Sequence, residues 1–389
     1  MWRVLLYNNI SVKGLEQLPR ESYETSSDIQ HPDAILLRSA NLHSEPIPET
    51  VLAVGRAGAG VNNVPVAELT RRGIPVFNAP GANANAVKEL VLAGLFLSAR
   101  NICPAWAHVQ GMTGSDEEIH KATEACKKQF VGFELPGRTL GVVGLGAIGV
   151  LVANAAKALG MRVVGYDPQI TVDNAWQLDA GVEAARSVGD LMSRSDMITI
   201  HVPLVDATRE MVDASRLQQA KPGATLLNFS RSEVVNEADV LAALDEGKLH
   251  TYICDFPSNA VKNHPKAVAL PHLGASTVEA QDNCAVMVAR QIRDYLETGN
   301  VHNSVNFPEV SLPRGDKGDR ICVVNANVPN MLGQISSALA DAGLNIDDMY
   351  NKSQGEIAYT VVDVEGVVPD AVVEQLSAIE GVLKVRLLH

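Results

Sequence analysis

The run Gly144-Leu145-Gly146-Ala147-Ile148-Gly149 stands directly after the apolar stretch Leu140–Val143 and ahead of an apolar segment reaching about Leu159, with Gly160 behind it. A strand, a glycine-bounded turn and a helix in that order are the signature of a dinucleotide-binding βα unit. Gly144 permits the tight turn, Gly146 lets backbone approach a pyrophosphate, and Gly149 lets the helix pack closely. The helix N-terminus then offers free N–H groups and a partial positive charge. The next apolar run ends in Tyr166-Asp167-Pro168, where Asp167 is placed to accept from an adenosine ribose diol. A 2′-phosphate there would meet like charge, so NAD is expected over NADP.

The surroundings of this loop repeat its pattern. Leu140–Val143, Arg162–Tyr166, Met197–Ile200, Thr225–Asn228 and Thr251–Cys254 are short apolar runs alternating with helical stretches, which predicts a parallel sheet covered on both faces. Arg3–Tyr7, Ile35–Leu37, Val51–Val54 and Pro75–Phe77 predict a second, smaller α/β domain. A long helix is expected over Val278–Leu296, closed near Gly299. Pro308, Pro313, Gly315 and Gly318 then read as linker punctuation. Beyond them the pattern restarts as a compact βαββαβ unit to His389, with Met331, Ile335 and Leu339 on one helix face.

Composition narrows the function classes. The 389 residues are 46% apolar with a net charge of −13, which offers no basic face for nucleic acid. The apolar stretch Ala86–Ala99 is too short for a bilayer span, and the N-terminus does not read as a signal peptide, so a cytoplasmic protein without a membrane segment is expected. Cys103, Cys126, Cys254, Cys284 and Cys322 show neither a Cys-x-x-Cys pair nor metal-ligand spacing; reduced thiols and no metal are expected.

Two loops at predicted strand ends carry groups suited to dehydrogenation of a hydroxy acid. Asn228-Phe229-Ser230-Arg231 supplies a cation for a carboxylate, and Pro271-His272-Leu273-Gly274-Ala275-Ser276-Thr277 supplies a reversible acid/base. Together with Val54–Asn63, Phe77–Asn83, Gly144–Gly149 and His201–Leu204, these segments resemble the D-isomer-specific 2-hydroxy acid dehydrogenases over essentially the whole chain.

The resemblance implies an α/β protein of three parts: a Rossmann doubly wound NAD-binding domain over 99–284, a smaller flavodoxin-like substrate-binding domain from 1–98 and 285–308, and, after a linker at 309–318, a ferredoxin-like βαββαβ ACT regulatory domain over 319–389. It implies Arg231 and His272 as the catalytic pair. Cofactor contacts would come from Gly144, Gly146, Ala147, Ile148, Gly149, Asp167, His201, Pro203, Phe229, Ser230, Asp255, Gly274 and Ala275, beside the catalytic pair. The substrate would be held by Arg56, Ala59, Gly60 and Asn83, with Lys127 and Lys128 adding charge from a neighbouring subunit. The implied reaction is oxidation of D-3-phosphoglycerate to 3-phosphooxypyruvate, the entry to serine synthesis, with closure of the two domains excluding water. Asn325, Asn327 and Asn345 would bind L-serine between paired ACT domains, in a homodimer or homotetramer.

Three positions depart from the family. Relatives carry a Glu near Asn259 that pairs with the catalytic His, and Asn cannot stabilise an imidazolium by charge. Ser232 stands where a Gly is usual, and Asn330 where relatives have the Gly of a Pro-Gly pair. Two other readings compete: a dehydrogenase of glyoxylate, hydroxypyruvate or 2-hydroxyglutarate, and a non-catalytic NAD-binding sensor.

Overall fold

The computed structural model describes residues 1–315 and 318–389, which form two compact units: 1–83 with 278–389, and 84–277. The second unit holds seven parallel strands: β6 (Thr139–Val143), β7 (Arg162–Tyr166), β8 (Val182–Ala184), β9 (Met197–Ile200), β10 (Ala224–Asn228), β11 (Leu249–Cys254) and β12 (Ala267–Ala269). Their order is β12-β11-β10-β9-β6-β7-β8, so the chain reverses direction across the sheet between β6 and β9. In open sheets of this kind ligands bind outside the carboxyl ends of the strands at that reversal. Strands β6, β9 and β10 have no exposed residue, which is why they appear as unbroken apolar runs. The helix Ala84–Ala99 belongs to this unit, its Val87, Val91 and Leu95 sharing a core with Leu140, Val142 and Val152.

The first unit contains two sheets. The five-stranded one has β1 (Trp2–Tyr7), β2 (Tyr23–Ser26), β3 (Ala34–Leu37), β4 (Ala53–Arg56) and β5 (Val76–Phe77), in the flavodoxin-like order β2-β1-β3-β4-β5. Strand β4 begins two residues later than the apolar pattern suggests, and its last residue is Arg56. The helix Val278–Thr298 lies against it: a Cβ on Gly55 would meet Val288 at 2.4 Å and Ile292 at 2.6 Å.

The four-stranded antiparallel sheet has β13 (Arg320–Ala326), β14 (Ile346–Gln354), β15 (Ile357–Val364) and β16 (Val382–Leu388), in the order β14-β15-β13-β16. With helices Met331–Asp341 and Asp370–Ser377 this is the βαββαβ arrangement of a small ACT-like module. Within 309–318, expected as linker, Val310 is fully buried and pairs with Val301, while residues 316 and 317 lie outside the described residues. Phe77, Tyr295, Phe307, Cys322, Tyr359 and Leu388 fill one continuous core beneath the two sheets. Among the described residues no single helix is long and apolar enough to cross a membrane.

Candidate functional site

Six loops at the carboxyl edge of the seven-stranded sheet carry the candidate residues. The first is the glycine loop. Gly144 has φ +90°, and a Cβ there would come within 2.5 Å of the His201 carbonyl oxygen. Gly149 cannot carry a side chain either, because its Cβ would lie 1.9 Å from the Gly144 carbonyl oxygen. A Cβ on Gly146, the N-cap of helix Ala147–Ala158, would have no neighbour within 4 Å, so the turn is open on the side a phosphate would approach. The three glycines thus do different work: one turns, one leaves space, and one lets helix and loop touch.

Asp167, just after β7, accepts from the backbone N–H of Leu145 at 2.8 Å and of Gln169 at 2.8 Å. Its carboxylate therefore ties the glycine loop to the next strand, beside a cavity of about 320 Å³ lined by Leu145, Tyr166, Asp167, Ile170, Leu178 and Val182 among others. His201 follows β9; its Nε2 lies 2.9 Å from Thr199 Oγ1, and its buried Nδ1 has no partner among the described residues. Burial pushes this imidazole down to about 3, so it is neutral at physiological pH. Pro203 continues the same segment.

The loop after β10 is organised by Asn228, which is fully buried. Its Nδ2 donates to the Arg231 carbonyl at 2.8 Å, and its Oδ1 accepts from Ser230 N at 3.1 Å and Ser230 Oγ at 2.9 Å. That folds the chain back on itself and presents Arg231 outward while Phe229 stays buried. Ser232 adds a hydroxyl that donates to Glu233 at 2.6 Å and, with the backbone of Glu233 and nearby Arg209 and Arg231, holds that carboxyl below its usual range.

Asp255, after β11, is buried with unequal oxygens. Oδ2 accepts from Gly274 N at 3.0 Å, whereas Oδ1 has no partner among the described residues. Burial holds this carboxyl above its usual range, against the opposing pull of the Gly274 N–H, His272 and Arg231. His272 stands at φ +48°, with its backbone N–H shared between the carbonyls of Asp255 at 3.0 Å and Leu270 at 3.1 Å. Its imidazole sits 5.3 Å from the Phe256 ring centroid at 77°. Asn259 opens the short helix Asn259–Asn263 behind the Ser258 cap, and among the described residues its side chain makes no hydrogen bond to His272. Ala275 follows Gly274 in the same turn.

The unpaired Asp255 Oδ1, the unpaired His201 Nδ1 and the open Gly146 turn fit a dinucleotide: an acceptor for a carboxamide N–H, a second polar contact, and room for a pyrophosphate.

In the first unit Arg56 ends β4 and donates through Nε to the Arg38 carbonyl at 3.1 Å. Gly58 keeps its guanidinium free of clash, since a Cβ there would lie 1.8 Å from Arg56 Nη1. The Ala59 carbonyl accepts from Asn78 Nδ2 at 2.6 Å, and Gly60 follows it in the same turn. Asn63 Nδ2 holds the carbonyls of Arg38 and Ala40. Arg38 directly follows the adjacent strand β3, so two arginines share one sheet edge. The composition of the loops gave no hint of Arg38 or Asn228; position at a strand end is the signal that finds both. Asn83 closes this stretch as the last residue before the division between the units.

Most of the remaining expected residues are occupied locally. Lys127 pairs with Glu124 one turn back, and Lys128 is exposed. In the C-terminal module Asn325 Nδ2 donates to the Ala326 carbonyl at 2.7 Å, leaving its Oδ1 buried and unpaired. Asn327 donates to the Gly355 carbonyl and Asn345 to Glu365. Asn330 has φ +68°, the left-handed conformation that explains a glycine preference at this position.

Residues 102–274 match the family described as D-isomer specific 2-hydroxyacid dehydrogenase, NAD binding domain. A D-3-phosphoglycerate dehydrogenase of Haemophilus influenzae is 34% identical over 87% of this chain and 82% of its own. One of Escherichia coli is 30% identical over 100% of this chain and 97% of its own. Among solved structures, an NAD+-bound 3-phosphoglycerate dehydrogenase of Entamoeba histolytica aligns with a TM-score of 0.61 at 24% identity, over 78% of this chain and 98% of that one. A D-2-hydroxyisocaproate dehydrogenase gives 0.65 at 20% identity, over 78% and 99%. These structural likenesses concern the fold.

Proposed function

From the premise that the chain belongs to the D-isomer-specific 2-hydroxyacid dehydrogenases, we propose that it oxidises D-3-phosphoglycerate at C2 with NAD, giving 3-phosphooxypyruvate for serine synthesis. The observation that carries this reading is the convergence of Arg231, Asp255 and His272 with the glycine loop along one sheet edge. NAD, when bound, supplies the acceptor for the hydride leaving C2.

The chain's own groups do the rest. The glycine loop and Asp167 would hold the adenosine and pyrophosphate end, and Asp255 Oδ1 would accept from the carboxamide, with further contacts from His201 and Pro203. Arg231 clamps the acid's carboxylate and draws charge toward the forming carbonyl. His272 takes the hydroxyl proton. Arg56, joined by Arg38, Ala59, Gly60 and Asn83, holds the anionic remainder of the acid, and the phosphate makes a second arginine at that edge useful. Lys127 and Lys128 are assigned to the same anion from a partner subunit of a homodimer or homotetramer. The C-terminal module is assigned as an ACT domain that takes L-serine through Asn325, Asn327 and Asn345. The unpaired Asn325 Oδ1 supports that assignment.

The test is NADH formation from D-3-phosphoglycerate with the ketone product trapped, beside glycerate and 2-hydroxyglutarate. Turnover on the phosphorylated acid, lost in His272→Ala and Arg231→Ala, is the expected result. Turnover confined to another acid moves the substrate, and silence on all three with NAD still bound overturns catalysis. A serine titration of the active enzyme then reads the module.

A further inference from the structure

An imidazole that accepts a proton during a reaction must be held in one orientation, and a hydrogen-bonded side chain usually does this. The backbone of His272 is clamped by the carbonyls of Asp255 and Leu270, yet those bonds leave the ring free to rotate. Among the described residues no side chain hydrogen-bonds the imidazole. Neither nearby carboxylate hydrogen-bonds the ring: Asp255 uses Oδ2 on Gly274 N and has Oδ1 unpaired among the described residues, and Glu237 Oε1 accepts from Ser258 Oγ at 2.9 Å.

What does touch the ring is Phe256, at 5.3 Å between centroids and 77° between planes. Phe256 is itself anchored. Its half-buried side chain packs on the core that contains Tyr252, Cys254 and Val261, and its carbonyl accepts from Cys254 Sγ at 3.7 Å. On its far side Ser258 caps the following helix through Val261 N at 3.0 Å. The aromatic ring therefore has a fixed position from which to fix another.

We infer that Phe256 is the positioning residue for His272, holding the imidazole by edge-to-face contact in place of a hydrogen-bonded partner. The contact restricts rotation of the imidazole. Asp255 and Phe256 are adjacent in sequence, so one short segment sets both the carboxamide acceptor and the base.

The inference rests on the dehydrogenase reading above, and its test separates the two. Wild type and the variants Phe256→Leu and Phe256→Tyr are compared as full chains by steady-state kinetics across pH and by NAD binding. Phe256→Leu should lower kcat about tenfold with KM for NAD within about twofold. Phe256→Tyr should restore kcat. Wild-type kinetics in Phe256→Leu, or equal impairment in Phe256→Tyr, would overturn the positioning role while leaving the dehydrogenase intact. A second readout needs no turnover: the ring-current shift of the His272 Cε1 proton by NMR should vanish in Phe256→Leu, and an unchanged shift sinks the inference. A wild type inactive on every 2-hydroxy acid would instead defeat the underlying reading.

Discussion

Asp255 and Arg320 are both buried charges, and the molecule satisfies them differently. Asp255 has one oxygen on Gly274 N and the other without a partner among the described residues. Arg320 has every donor engaged: Nε and Nη2 on the two oxygens of Asp363, Nη1 on the carbonyls of Thr298 and Leu312, and Nη2 also on that of Pro313. Arg386 extends the second pattern, donating to the carbonyls of Tyr295 and Leu296 and lying 4.4 Å over the Tyr295 ring. A half-paired buried group has capacity left for a ligand, whereas a fully paired one holds elements together. Asp255, at the carboxyl edge of the seven-stranded sheet, is of the first kind. Arg320, at the seam joining the C-terminal module to helix Val278–Thr298, is of the second.

The comparison breaks most visibly at Arg320. Arg320→Met leaves Asp363 buried without its cation and should cost about 3–5 kcal/mol in urea unfolding of the intact chain. The pair replacement Arg320→Met with Asp363→Leu should recover part of that loss. A cost of less than about 1 kcal/mol for the single change would mean that the apolar core alone holds the seam.

At the ligand edge the expected loss is in binding. Gly149→Ala forces a Cβ to within 1.9 Å of the Gly144 carbonyl, so the turn must open and its alignment with the helix N-terminus is lost. NAD affinity measured by calorimetry should fall about tenfold or more, equivalent to about 1.4 kcal/mol. Unchanged affinity would show that the cofactor is held elsewhere.

The smallest effect sharpens the contrast through pH. Burial keeps the Asp255 carboxyl above its ordinary range, so the folded chain binds this proton more tightly than the unfolded chain does. The group's contribution to stability is therefore greatest in acid and falls as pH rises from the unfolded value through the folded one. Asp255→Asn should raise Tm at about pH 8, with the advantage fading toward about pH 4. A constant difference across that range would remove burial of the charge as its cause.

Much of this architecture was legible in the chain. The strand–glycine–helix order around Gly144, the alternation that gave β6, β7, β9, β10 and β11, and the restart after Gly318 all follow from local pattern. Strands β2, β8 and β12 escaped because Tyr23–Ser26, Val182–Ala184 and Ala267–Ala269 are short and carry too little apolar signal. Arg231, Asp255 and His272 could be found as strand-end residues, and Asn228 binds Ser230 and Arg231 close by in sequence, but the partners of Arg38 and Phe256 are brought near by folding.

What the sequence alone determined is therefore the local grammar: which segments pair as strands, where a backbone must turn through a glycine, and which strand ends carry charge. Hydrophobic period and φ preference operate over a few residues, and a single chain displays them directly. Only the tertiary structure decided which buried charges are complete. Arg320 meets Asp363 from 43 residues away, and Arg386 meets Tyr295 from 91, and no local pattern records such pairings. The same holds for Phe256, whose contact with His272 depends on β11 and the loop after β12 ending side by side. A partner supplied across the fold turns a charge into structure, and the lack of one leaves it for chemistry.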